Sequence, residues 1–315
     1  MAKRLPKILK EIKKHTPKVI DYSENNSVSY SQFSMYKTCP YKWALTYKDK
    51  NKTYKPSIHT VFGKAFHETI QDWLKTMYDV AGTVADKMDL NDKLYEGLIF
   101  HYSDEKKANN GEHFTTSSEL DEFYNDGVAI LEYIKKNRSA YFSKRGWHLV
   151  GIELPLVVTP HPEYPSVLYK GFLDFVLYDE KYDSFYIFDI KTSTGGWNDY
   201  AKKDEIKQFQ LILYKQFFAQ EFNIDVEKIH IQYFIVRRKI NENALFPPKR
   251  VQEFVPASGK SKMNKALSEM QKFIEDCFEK NGKIQQKEYP KNPGKHCSFC
   301  PFNETPLCNK LRESE

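Results

Sequence analysis

Residues 167–192 read VLYKGFLDFVLYDEKYDSFYIFDIKT. Two runs within this stretch, 167–178 and 184–192, carry the aromatic and β-branched residues and the period of two that specify strands. The connection DEKYDS at 179–184 is polar and turn-forming, the composition of a hairpin. Immediately upstream, WHLVGIELPLVV at 147–158 gives a further strand, and downstream KIHIQYFIV at 228–236 gives another. A helix is expected over 204–220, between the last two strands. The order helix–strand–strand–strand–helix–strand specifies an α/β sandwich with helical elaborations.

Outside this core the period is 3.6. Residues 60–80 form an amphipathic helix with Phe62, Phe66, Ile70, Trp73 and Met77 on one face. Residues 29–48 read as a helix capped by Ser29 or Ser31 and interrupted at Pro40. Residues 119–143 place Leu120, Phe123, Leu131 and Ile134 on one face, and a last long helix is expected over 261–280. The polar stretch 81–118 predicts one short helix and a loop. No repeat and no long polar linker divides the chain. It reads as a basic arm over 1–28 and one domain over 29–315. That domain has a helical part (29–145), an α/β core (146–240) and a C-terminal helix and tail (241–315).

The 315 residues hold 48 Lys and Arg against 42 Asp and Glu, a formal charge of +6. Lys3, Arg4, Lys7, Lys10, Lys13, Lys14 and Lys18 face only Glu11 within residues 1–20, so this segment carries the whole surplus. Two readings of it stand: a solvated, frayed terminus, or a phosphate-binding arm. No apolar run is long enough to span a membrane, and no secretory signal is read at the N-terminus. Five cysteines without a secretion signal argue against a disulfide framework. Cys277 shares a helical face with Leu267, Met270, Ile274 and Phe278 and reads as core. Cys39, Cys297, Cys300 and Cys308 remain to be explained.

The chemistry lies on the central strands. Asp174 is a carboxylate among large apolar neighbours. Asp189 and Lys191, two apart, project to one side of an otherwise apolar strand. Charges there are costly to bury unless they bind something. Two carboxylates on adjacent strands supply oxygens for a hard cation such as Mg²⁺ or Mn²⁺, with Lys191 placed to orient water or hold a phosphate. The alternative is a plain salt bridge between Lys191 and an aspartate. His67, in GKAFHE (63–68), sits at the edge of its helix's apolar stripe. Gln210 and Tyr214 share a helix face at i and i+4.

The order His67, Asp174, Asp189-x-Lys191, Gln210-x-x-x-Tyr214 resembles the PD-(D/E)XK nuclease superfamily, and more narrowly its RecB-like exonucleases, which include CRISPR-associated members. The resemblance covers about residues 29–310. It implies a restriction-endonuclease-like α/β core, a central mixed sheet flanked by helices, with a helical N-terminal elaboration. It also implies that His67, Asp174, Asp189 and the Ile190 carbonyl hold Mg²⁺ or Mn²⁺. Lys191 then assists catalysis, and Gln210 and Tyr214 contact DNA. Glu153 is weighed as an accessory acid against a surface strand carboxylate. Cys39 with Cys297-x2-Cys300-x7-Cys308 resembles the iron–sulfur staple of some members, which implies a [4Fe–4S] cluster. Zinc on the same thiolates, with His296 able to replace one, is the main rival, and four unligated cysteines are the third reading.

The implied activity is phosphodiester hydrolysis by a DNA exonuclease acting on single- or double-stranded ends, in recombination, repair or phage DNA processing. Its expected place is the cytoplasm of a bacterial or phage-infected cell, with a protein partner in a recombination or replication complex. A structure-specific endonuclease and a non-catalytic DNA-binding scaffold are the alternatives. The Lys-, Asn- and Tyr-rich composition points to an AT-rich genome such as a phage's.

Overall fold

A computed structural model describes residues 5–51, 55–142 and 144–308; Lys3 and Arg4 of the basic segment lie outside them. The chain divides into two compact units, one of residues 1–16, 56–155 and 172–258, the other of 17–55, 156–171 and 259–315. Among the described residues no helix is long and apolar enough to cross a membrane.

The first unit begins with helix α1 (Lys7–Lys14), which buries Leu9 and Ile12 and turns its lysines outward. Residues 7–14 are therefore a docked amphipathic helix rather than a solvated arm. His15 extends the attachment, hydrogen-bonding Glu221 at 2.6 Å.

In the second unit, strand β1 (Asn26–Val28) leads into α2 (Tyr30–Thr38), whose cap Ser29 accepts the Gln32 N–H at 3.3 Å. Cys39 is extended, and α3 (Pro40–Trp43) restarts with Pro40 at its first position and ends in a π-helical turn, Ala44–Lys48. The interruption predicted at Pro40 is thus centred on Cys39.

The first unit resumes with α4 (Ile58–Asp79), α5 (Gly82–Ala85), α6 (Leu90–Ala108), α7 (Ser117–Lys136) and α8 (Arg138–Tyr141). The stripe expected on α4 is buried throughout, with Phe66, Ile70 and Trp73 at 0% exposure. The long α6 replaces the short helix and loop expected over 81–118. Asp89 caps it by accepting the Asn91 and Asp92 N–H groups, and it buries Leu90, Leu94, Leu98, His101 and Glu105. Two polar residues complete that face and hide its period in the sequence.

The sheet follows as β2 (Trp147–Val158), β3 (Val167–Asp179) and β4 (Ser184–Ser193), then β5 (Ile229–Arg237) and β6 (Val251–Phe254). Before β5 come α9 (Asp199–Lys203) and α10 (Glu205–Phe222), and α11 (Lys260–Cys277) closes the helical set. β3 and β4 are antiparallel as the hairpin predicts. β4 and β5 run parallel, with α10 as the crossover, and β5 and β6 are antiparallel. The α/β class with a mixed sheet flanked by helices is therefore present. One sheet face, with Phe175, Phe188, Ile190 and Phe234, closes a core against α4, α6 and α7. On the other, Phe185 meets Phe218 of α10.

In the second unit β1 pairs in parallel with the start of β3, and the Trp43 ring is enclosed by Tyr36, Tyr47, Phe273, Phe278 and Tyr289. Cys277 is fully buried, as its helical position predicts.

Leu131 of α7 is fully buried. Leu131→Ala should lower the unfolding free energy by about 2–5 kcal/mol in urea titration, whereas truncating the exposed Val84 should leave it within about 0.5 kcal/mol.

Candidate active site

The site forms where β3 and β4 stop pairing. Their ladder runs from Asp179↔Ser184 to Phe175↔Phe188 and ends there; Asp174 and Asp189 are the residues just beyond its last pair. There the Ile190 N–H donates to the side chain of Asp174, Oδ2, at 2.6 Å. A carboxylate has replaced a main-chain acceptor, which satisfies the buried N–H while the strands separate. β4 meanwhile keeps its parallel pairing with β5, setting Asp189 beside Tyr233 and Lys191 beside Ile235.

Asp189 is 2% exposed. Its Oδ2 lies 2.7 Å from the Lys191 Nζ in an ion pair. His67 reaches in from α4, its Nδ1 3.7 Å from Asp174 Oδ2. One turn further along α4, the Gln71 amide donates to Glu153 Oε1 at 2.6 Å and to the Asp174 carbonyl at 3.3 Å. Glu153 stands at φ +47° inside β2, a left-handed backbone unusual for a residue with a side chain. Holding it there costs about 1–3 kcal/mol. His67, Gln71, Glu153, Ile190, Lys191 and Thr192 line one cavity.

Burial pushes both aspartates up to about 6 from the usual 3.8. Lys191 opposes the rise at both; the Ile190 N–H also opposes it at Asp174, and the Asp174 charge adds to it at Asp189. Burial lowers His67, against the pull of Asp189. Burial alone would lower Lys191 as well, but Asp189 and Asp174 outweigh it and raise the ammonium.

His67, Asp174, Asp189, Ile190 and Lys191 are thus assembled together. Gln210 and Tyr214 share a face of α10, the Gln210 amide 3.5 Å from the Tyr214 hydroxyl. They stand outside the cavity lining, though Tyr233, the cross-strand neighbour of Asp189, hydrogen-bonds the Lys207 carbonyl one turn before Gln210. Sequence reasoning missed Gln71, whose i+4 spacing from His67 was the available signal. It left Glu153 undecided, because a local backbone inversion leaves no trace in residue period.

The salt bridge weighed as an alternative is present, and its ammonium takes up the charge of Asp189. Among the described residues no three His, Cys, Asp or Glu side chains are arranged to hold a metal ion. The donor types still fit a hard divalent cation: two desolvated carboxylates, Asp174 and Asp189, with the His67 imidazole 3.7 Å from Asp174.

In the second unit Cys39, Cys297, Cys300 and Cys308 line another cavity, all as free thiols. Burial pushes the Cys308 thiol up; Lys291 opposes this, and Cys300, Cys39 and Cys297 reinforce it. His296 lines the same cavity, its Nε2 buried and without a hydrogen-bond partner. Thiols and an imidazole are ligand types that suit a soft or borderline metal, but among the described residues they are not arranged as a metal-binding group. The surrounding chain is fixed by the Tyr41 N–H on the Pro290 carbonyl (3.1 Å), the Tyr41 hydroxyl on the Leu307 carbonyl (2.8 Å) and the Asn292 amide on the Thr38 carbonyl (2.8 Å).

Since both aspartates sit near 6 when folded and near 3.8 otherwise, the folded chain holds protons that the unfolded chain has released. The stability that these two groups contribute then falls as pH rises through about 4 to 6. In EDTA, the urea midpoint should drop across that window, and Asp189→Asn should flatten the drop.

Residues 27–308 match the family model of the PD-(D/E)XK nuclease superfamily, and the chain belongs to that superfamily. Among curated proteins no sequence matches it.

Proposed function

From membership of this nuclease superfamily, whose substrate is DNA and whose usual cofactor is Mg²⁺ or Mn²⁺, we propose a metal-dependent exonuclease of the RecB-like branch, acting on DNA ends. The observation that carries this reading is the gathering of Asp174 and Asp189 just beyond the last β3–β4 pair, with His67 3.7 Å from Asp174 and Lys191 2.7 Å from Asp189. Hydrolysis joins a water oxygen to phosphorus, breaks one P–O ester bond and leaves a proton on the departing oxygen. Asp174, Asp189, His67 and the Ile190 carbonyl would hold the divalent cation, which supplies Lewis acidity toward the scissile phosphate. Lys191, raised and fully charged at neutral pH, positions the attacking water or holds a phosphate oxygen as charge builds on it. Gln71 keeps the Glu153 carboxylate at the cavity wall as an accessory acid. Gln210 and Tyr214 steady the DNA backbone from α10.

End-labelled single- and double-stranded DNA should be degraded with Mg²⁺ or Mn²⁺ and left whole in EDTA. Lys191→Ala should slow cutting by about 10²–10³-fold, and Asp189→Ala should abolish it. Closed circles should survive; nicked circles would make the enzyme an endonuclease. DNA that is bound but never cut under any metal would leave a binding scaffold.

At the cysteines, we propose a [4Fe–4S] cluster that ties the α2–α3 junction to the C-terminal tail, with Cys39 the distant ligand. Protein purified without oxygen should show a broad visible absorption band, lost in Cys39→Ser together with part of the thermal stability. A colourless protein carrying one zinc per chain would assign the same ligands to zinc.

A further inference from the structure

β5 and β6 are joined by residues 238–250, RKINENALFPPKR. The stem of this loop is built rather than loose. The Arg238 and Lys239 N–H groups donate to the Ser193 and Thr194 carbonyls at 2.9 and 2.7 Å, continuing the β4–β5 pairing beyond the strand ends. The Arg250 guanidinium donates to the Arg238 carbonyl at 2.7 Å and pairs with Glu242. Arg238 itself is 6% exposed, 2.7 Å from Asp126 Oδ2, with its guanidinium 3.6 Å from the centre of the Phe123 ring.

On this fixed stem the tip presents Leu245 and Phe246 at 88% and 86% exposure. Pro247 and Pro248 follow, stiffening the chain behind them. Two adjacent large apolar side chains held out on a braced stem differ from the scattered exposed residues normal on a surface. Their place relative to the active site is set by register. Lys191 pairs with Ile235 and Ser193 with Arg237, so the loop leaves the sheet about 7 Å beyond Lys191 along the strand direction. At the same strand ends Gln252 accepts the Trp197 N–H at 2.7 Å and donates to the Trp197 carbonyl at 3.0 Å. That fixes the segment leading to Tyr200, 86% exposed. The exposed Lys249 follows the two prolines behind the tip, and the partly buried Arg237 guanidinium donates to the Lys249 carbonyl at 3.3 Å at the base of the loop.

We propose that Phe246, with Leu245 and Tyr200, is a stacking platform for unpaired bases of the DNA substrate, holding a single-stranded end as it enters the site. This rests on the reading that the substrate is DNA. An unpaired strand offers flat apolar faces and negative phosphates together, which matches an exposed aromatic tip with the exposed Lys249 close behind it. A paired duplex buries those faces.

The test is binding in EDTA, where nothing is cut, using the full chain and a single-stranded oligonucleotide carrying 2-aminopurine, beside a blunt duplex of the same length. Wild type should alter the 2-aminopurine fluorescence on binding. Phe246→Ala should abolish that change and weaken single-strand binding by about 10-fold, with duplex affinity unchanged, and Phe246→Trp should restore both. Because the side chain is exposed, melting temperatures should agree among the three proteins. Equal binding and equal fluorescence change in Phe246→Ala would overturn the proposal, as would parallel losses on single strand and duplex. Unchanged DNA binding with a shift from oligomer to monomer would assign the tip to a contact between proteins and overturn it too. Wild type that cuts DNA with Mg²⁺ yet shows no fluorescence change refutes the platform alone. Wild type that neither binds nor cuts refutes the nuclease reading as well.

Discussion

The hydrogen bond from the Ile190 N–H to the Asp174 carboxylate is the constraint from which the rest of the site follows. A sheet that paired to its end would leave no room between β3 and β4 and no reason for two carboxylates to meet. By accepting an N–H that the partner strand no longer serves, Asp174 lets the strands part without leaving a buried donor unpaired. The opening brings Asp189 opposite it, and the two desolvated carboxyls then need a cation. Lys191, two residues along the same strand, supplies one. The cost of crowding charge into a buried place is visible in the raised aspartates and the lowered histidine.

Much of this was legible in the sequence, for reasons that can be named. The strands at 147–158, 167–178, 184–192 and 228–236 announce themselves because large apolar residues dominate them, and the α4 stripe because five bulky side chains recur at helical spacing. Asp174, Asp189 and Lys191 stood out as charges in apolar strands. What the sequence hid has physical reasons too. β1 and β6 span three and four residues, too few to show a period. The buried face of α6 includes His101 and Glu105, so its pattern looks polar. The α1 helix was masked by its own lysines, since Leu9 and Ile12 alone make the docked face. The inverted backbone at Glu153 depends on what Gln71 holds, and a one-dimensional pattern carries no record of a partner 82 positions away.

The cysteines illustrate a different kind of information. Their spacing sets four of them apart as candidate ligands and does not choose a metal, because thiolates suit iron and zinc alike. The fold adds that Cys39 occupies the extended link between two helices, where its side chain is fixed by the backbone on both sides. It adds also that an unpaired imidazole nitrogen, His296 Nε2, shares the cavity.

The division of the chain has a consequence for synthesis. The first unit draws on residues up to 258, whereas the second needs 17–55, 156–171 and the stretch from 259 onward. On the ribosome, the strands of the candidate site and their helices can therefore collapse while α2 and α3 still wait for the partners that enclose Trp43. Phe273, Phe278 and Tyr289 emerge late, so an exposed indole and a bare thiol at Cys39 persist through most of translation. The N-terminal helical segment is thus the part of the nascent chain most in need of protection, by a chaperone or by speed, against aggregation and oxidation.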